Sequence, residues 1–218
     1  MREILEKVLE NKKNSADYIE IRAERKETTT IHFQGKNLEK INSSQQTGGN
    51  VRVLVKGGWG FVSFNQFDDL EEKVREAIEV ASLIGKEESN LAVISPVVEI
   101  ISRELDKDFR QISLREKKDL MENYNNIIMN FNPQIQSSNV IYTDRFSTIC
   151  FANSEGSYIE QEKPFLSVRL TAIAREGDNV QMASESVGST KGFGVMERIS
   201  TKAKEQLFGQ SIFLRHSR

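Results

Sequence analysis

Cysteine and histidine are nearly absent from this chain of 218 residues, which has one cysteine, Cys150, and two histidines, His32 and His216. A lone thiol excludes an intramolecular disulfide framework. Two histidines this far apart cannot supply the usual zinc-hydrolase arrangement of paired histidines one helical turn apart beside a glutamate. No apolar run approaches the roughly 18 to 20 residues that a membrane-spanning helix needs. The first six residues lack the apolar core of a signal peptide, so the expected compartment is the cytoplasm, without a membrane partner. Charge of one sign is also missing. A formal net charge of -2 leaves no general excess of Lys and Arg to drive binding to nucleic acid or anionic membranes.

What is present reads as an ordinary soluble globular protein, 38% hydrophobic and 28% charged, long enough for one large domain or two small ones. The most strongly patterned stretch is 48–65, G-G-N-V-R-V-L-V-K-G-G-W-G-F-V-S-F-N. Val51, Val53 and Val55 alternate with Arg52, Leu54 and Lys56, and Gly57-Gly58 offers a tight turn into a returning strand carrying Trp59, Phe61 and Phe64. Gly60, inside that strand, marks a bulge or a close approach by another backbone.

Upstream, Ile4, Leu5, Val8 and Leu9 stand at helical spacing. Alternation over 17–25 and a β-branched run over 28–34 predict two antiparallel strands. A third strand, 38–44, and a Gly48-Gly49 turn lead into the hairpin, giving a five-strand meander. Asp68 with Glu71 has the pattern of a helix start. The apolar stripe Leu70, Val74, Ala77, Ile78 and Ala81 carries that helix to about Ile84, with Gly85 as a left-handed cap.

Residues 97–102 form a strand or an extended linker after Pro96. Ser113 with Glu116 starts a second long helix that runs towards Pro133. Strands are predicted at 139–143, 146–153, 157–161, 166–175 and 180–187, with turns at Asp144-Arg145, 153–156 and 176–179. A last helix is expected at the start of 192–218, through Met196, Ile199 and Ala203, before the sequence changes character at about Phe208. The predicted class is α+β, two antiparallel β-meanders each packed with helices. The predicted divisions are 1–95 (meander plus helix), 96–207 (helix plus second meander) and an atypical tail, 208–218.

No residue in this pattern forms a visible reaction centre. His32 reads as a strand residue with a satisfied hydrogen bond, and Cys150, between Ile149 and Phe151, as a buried small hydrophobe. Ser184, Ser186 and Ser189 lack the G-x-S-x-G elbow of a nucleophile. The glycine loops 56–60 and 188–194 match no phosphate-cradling pattern. Asp68-Asp69 and Glu87-Glu88 fit a helix start and a solvated linker.

The stretch 48–65 resembles the signature hairpin of the TldD/PmbA family, metalloproteases and their partners once called modulators of DNA gyrase. Ala16-Asp17-Tyr18-Ile19-Glu20-Ile21-Arg22 is similar to that family's first strand. Phe151-Ala152-Asn153-Ser154-Glu155-Gly156 is similar to a turn of its second half, and Ala183-Ser184-Glu185-Ser186-Val187-Gly188 extends the likeness. The resemblance covers about 1–206, and its hairpin stands closer to TldD than to PmbA.

It implies a cytoplasmic zinc peptidase acting on unfolded or peptide substrates, as a homodimer or as a heterodimer of TldD-like and PmbA-like chains. The family's metal motif, resembling H-E-x-x-x-H plus a cysteine, would begin after about Gln206 and does not occur in this sequence. The expectation is therefore an N-terminal fragment, ended by truncation or frameshift, with no catalytic residue and no metal or cofactor bound by this chain, zinc belonging to the full-length family protein. Such a fragment would supply substrate-channel walls, with Trp59, Phe61, Asn153 and Glu155 as candidate lining residues and strand addition as the mode of peptide capture. The alternative is a noncatalytic PmbA-like partner or peptide-binding subunit.

Overall fold

Alternating apolar residues dominate the chain, and the structure, a computed structural model, turns them into long strands. It describes residues 1–89 and 91–196; the part of the expected last helix beyond Met196, with Ile199 and Ala203, and the tail with His216 lie outside them. Among the described residues are the helices α1 (Arg2–Lys12), α2 (Leu70–Ile84) and α3 (Leu114–Met129). The strands are β1 (Tyr18–Gln34), β2 (Asn37–Val55), β3 (Gly58–Phe64), β4 (Val98–Ile101), β5 (Ile135–Asn153), β6 (Tyr158–Glu176) and β7 (Asn179–Ser189). Their hydrogen-bonded order is β3-β2-β1-β5-β6-β4, with β7 beside β6. β2 and β3 pair antiparallel, as do β6 and β7, whereas β4 joins β6 in parallel. The α+β class holds.

The chain forms two compact units, each built from three segments. The first contains Met1–Lys26, Gln45–Ser102 and Ser147–Lys163; the second contains Glu27–Ser44, Arg103–Phe146 and the chain from Pro164. In the first, Ile19, Ile21, Val51 and Val53 of the sheet pack with Leu5 and Val8 of α1 and Leu70, Val74, Ala77 and Ala81 of α2. Burying each large aliphatic side chain contributes roughly 1.5–3 kcal/mol. In the second, α3 lays Met121, Tyr124 and Ile128 against Ile31, Phe33, Val140, Tyr142 and Leu166.

Several predicted breaks are absent. The segments 17–25 and 28–34 are one strand, β1, because Lys26-Glu27 contains nothing that forbids extended backbone. The turn predicted at Gly48-Gly49 is likewise interior to β2. A Cβ on Gly49 would lie 2.0 Å from the Arg22 carbonyl oxygen and 2.6 Å from the Phe64 ring, so this glycine permits close packing instead of a reversal. The predicted turn at Asp144-Arg145 lies inside β5. Asp144 is buried there and accepts from Lys117 Nζ at 2.6 Å.

β6 runs straight through Pro164. That residue falls between the β4 pairing, which ends at Gln161, and the β7 pairing, which starts at Leu166. A proline is tolerated at such a gap because a side without a ladder partner does not need its N–H.

The helix ends show both agreement and correction. Ser113 and Glu116 form the expected reciprocal capping box. The N-cap of α2 is Asp69, not Asp68, and makes no side-chain cap bond. Gly85 takes extended backbone, φ -63° and ψ 123°, in place of the left-handed cap. Its small size serves contact: a Cβ would lie 2.1 Å from the Val55 carbonyl oxygen.

Candidate functional site

The β2–β3 hairpin turns at Lys56 and Gly57, with φ of 48° and 79°, a pair of positive values that suits the right-handed twist of the two strands. Asp17 braces this turn. Its Oδ2 accepts from the Lys56 backbone N–H at 2.6 Å and from the Ser89 hydroxyl, while Ser89 Oγ accepts from the Gly57 N–H at 2.9 Å. The Ser89 bond first, and the Lys56 N–H second, hold the Asp17 carboxyl below its usual range.

Register follows from the turn. Val55 pairs with Gly58, Val53 with Gly60 and Val51 with Val62, while Leu54 faces Trp59 and Arg52 faces Phe61. In a two-residue hairpin the closing pair is hydrogen-bonded, and bonded and non-bonded pairs then alternate. The N–H and C=O groups of Gly58, Gly60, Val62 and Phe64 therefore face β2. Those of Trp59, Phe61 and Ser63 face outward from the sheet edge, since β3 ends the strand order.

The same alternation separates the side chains. On one face of β3, Gly58 and Gly60 let α2 approach until a Cβ would lie 2.4 Å from the Ala81 oxygen or 1.9 Å from the Ala77 oxygen. On the other face Trp59 is 40% exposed and Phe61 60% exposed.

Around Trp59 stands a set of side chains from the outer faces of β1 and β2. The Tyr18 ring meets Trp59 edge-on, with centroids 6.2 Å apart. Tyr18 Oη donates to Glu20 Oε2 at 3.0 Å and accepts from Asn153 Nδ2 at 3.5 Å. Burial pushes the Tyr18 phenol up.

Glu20, itself only 6% exposed, is shared by two arginines. Its Oε1 accepts from Arg52 Nη1 at 3.2 Å and lies 3.8 Å from Arg22 Nε. Each guanidinium also covers a ring: Arg52 stands 4.5 Å from the Trp59 centroid and Arg22 5.5 Å from that of Phe151. Arg22 further lines a groove of 740 Å³, together with Lys26, Gln46, Asn50, Asn65 and Ile149.

Of the four predicted lining residues, Trp59 and Phe61 lie on this open face. Asn153 is buried, and its Oδ1 accepts from the Ser157 N–H at 2.8 Å, which builds the β5–β6 turn. Glu155 is exposed on that turn. Tyr18, Glu20, Arg22 and Arg52, which the sequence does not single out, join this candidate face. Their alternation was visible, but the convergence depends on β1 lying beside β2.

Zinc does not fit the described residues, among which no three or more His, Cys, Asp or Glu side chains converge to hold a metal. Cys150 is buried between the Tyr158 hydroxyl, which donates to Sγ at 3.4 Å, and Glu160 Oε2, to which Sγ donates at 3.4 Å. Burial pushes the thiol up and away from the ligand form. His32 lies in β1 as expected, but its Nε2 is enclosed without a hydrogen-bond partner. The alternation that sends Ile31 and Phe33 into the core turns the imidazole to the other face, where no polar group among the described residues meets that atom. Ser184 Oγ shares a 3.0 Å hydrogen bond with Thr171 Oγ1, a strand-face contact.

Residues 19–81 match the family model described as PmbA/TldA metallopeptidase domain 1, and residues 107–209 match the PmbA/TldA metallopeptidase central domain. A metalloprotease of Synechocystis sp. is 40% identical over 187 residues, a match covering 85% of this chain and 40% of that protein. A metalloprotease of Methanocaldococcus jannaschii is 31% identical over 198 residues, covering 88% and 42%. The chain thus spans well under half the length of these curated relatives.

Among solved structures, a candidate modulator of DNA gyrase from Thermotoga maritima superposes with a TM-score of 0.75 at 17% identity, covering 94% of this chain and 47% of that one. TldE from Thermococcus kodakarensis gives 0.67 at 13% identity, covering 92% and 47%. At these identities the likeness is one of fold.

Proposed function

Because the chain belongs to the PmbA/TldD metallopeptidase family, we propose that it is the N-terminal part of a TldD-like zinc metallopeptidase and captures unfolded or peptide substrates in the cytoplasm. The metal-dependent step belongs to residues other than those described, within a homodimer or a TldD/PmbA-type heterodimer. The role of this part is to hold extended substrate along a channel wall that includes Trp59, Phe61 and Glu155, with Asn153 shaping the adjoining turn.

One observation carries this reading. β3 is an edge strand whose outward peptide groups, at Trp59, Phe61 and Ser63, sit beside two exposed aromatic rings. An edge of this kind accepts an added strand through main-chain bonds, which gives affinity with little demand on sequence, while rings beside it take alternate side chains.

The test is fluorescence anisotropy of a labelled unfolded peptide with and without zinc. Saturable binding without cleavage is expected. Ser63→Pro removes an outward N–H without touching the β2 ladder and should weaken binding. Unchanged binding in that variant overturns edge capture, and chelator-sensitive cleavage by this chain alone overturns the assignment of catalysis to other residues.

A further inference from the structure

We propose that Arg22 and Arg52 form a carboxylate-recognising fork on the open sheet face, selecting peptide segments that carry a carboxylate beside an apolar or aromatic residue. This rests on the peptide-capture reading above and adds to it a chemical preference that main-chain pairing cannot provide.

Two guanidiniums share one buried carboxylate, Glu20, and both reach the same oxygen, Oε1, because Tyr18 occupies Oε2. One negative charge set against two positive ones leaves an unbalanced cation. The arginine side chains retain 59% and 42% exposure, against 8% for Glu20, so their remaining donors face solvent. Five N–H donors in a planar fork exceed what one shared oxygen can accept, and a ligand carboxylate is the natural complement of the remainder.

Arg52 lies over the Trp59 ring, 4.5 Å from its centroid, and Arg22 over that of Phe151, 5.5 Å away, contacts that restrict both side chains before a ligand arrives and lower the ordering cost of binding. Arg52 is also the cross-strand partner of Phe61, the most exposed aromatic of this face. A ligand whose carboxylate meets the fork therefore has an apolar ring beside it, and Arg22 continues into the adjoining groove. Glu20 acts as a positioning residue that orients both arginines.

Trp59 is the only tryptophan of the chain and lies under Arg52, so its emission reports occupancy directly. The probe is a short unfolded peptide made in four forms, with glutamate or glutamine at one position and a free or amidated C-terminus. Forms carrying a carboxylate should bind about tenfold tighter than the doubly neutral form, the size expected of one charge-assisted hydrogen-bonding contact. A preference that follows the glutamate identifies a side-chain carboxylate, and one that follows the free terminus identifies the chain end. Arg22→Gln combined with Arg52→Gln, with Glu20→Gln added so that no buried carboxylate is left without its cations, should abolish the preference while circular dichroism stays unchanged. Equal affinity for all four forms overturns the fork but leaves peptide capture standing. Failure of every form to bind overturns both.

Discussion

Lys117 Nζ stands 2.6 Å from Asp144 Oδ2, and both side chains are 5% exposed. The lysine comes from α3 and the aspartate from the middle of β5, and the Tyr142 hydroxyl donates to the same oxygen. Removing one member of such a pair leaves an uncompensated charge in an apolar surrounding. Lys117→Met should therefore lower stability by about 3–5 kcal/mol, measured by urea unfolding. The double variant Lys117→Met with Asp144→Leu should recover much of that loss.

Gly60 is the point of closest approach between β3 and α2. A methyl group there would lie 1.9 Å from the Ala77 carbonyl oxygen, and backbone cannot yield as a flexible side chain can. Gly60→Ala should destabilise by about 1–3 kcal/mol or more through overpacking, read as a lower thermal midpoint. Gly177→Ala meets no atom within 4 Å and is the comparison without a clash; its cost should be confined to the positive φ of 60°.

Asp17 gives the β2–β3 turn a pH dependence. The Ser89 hydroxyl first, and the Lys56 N–H second, hold its carboxyl below the usual aspartate range, so the ionised form is favoured by folding. The sign is then fixed: the brace contributes fully above the ordinary aspartate range and is lost as pH falls through the depressed folded-state value. Wild type and Asp17→Asn should differ in thermal midpoint at neutral pH and converge in strong acid. A difference that persists unchanged at low pH contradicts the brace.

Ser113 caps α3 by accepting from the Glu116 N–H at 3.2 Å, while Glu116 Oε2 accepts from the Ser113 N–H at 3.0 Å. Ser113→Ala should cost about 1 kcal/mol. Urea denaturation of the two proteins checks this, and Ser113→Asp should restore most of the loss because a carboxylate also caps an N-terminus well.

Much of the fold was legible wherever one face of an element met one environment. Alternation picked out Ile19, Ile21, Val51 and Val53 as inward residues, and the Ser113–Glu116 spacing marked a helix start. The readings that failed share a cause. Gly48-Gly49 and Gly85 look like punctuation in one dimension, yet Gly49 and Gly85 are small because another backbone passes close by. Asp144-Arg145 looks like a turn until Lys117, 27 residues away, neutralises the aspartate.

The candidate site is legible only within single strands, for a related reason. Trp59 and Phe61 stand out within their own strand. Glu20, Arg22 and Arg52 acquire meaning only through the pairing of two strands, and the bond that Asn153 makes to the Ser157 N–H leaves no signal in sequence. The interleaving of the segments that make up each compact unit leaves no local signal in the sequence.

The unbroken passage of β1, β2, β5 and β6 from one compact unit into the other bears on how the chain is made. The first unit draws on Ser147–Lys163 and the second on Glu27–Ser44. During synthesis neither can close as its own segments emerge, because each waits for strands delivered on either side of the other's. The nascent chain must carry open sheet edges until β6 has left the ribosome, and nicking any one of these four strands would damage both units at once.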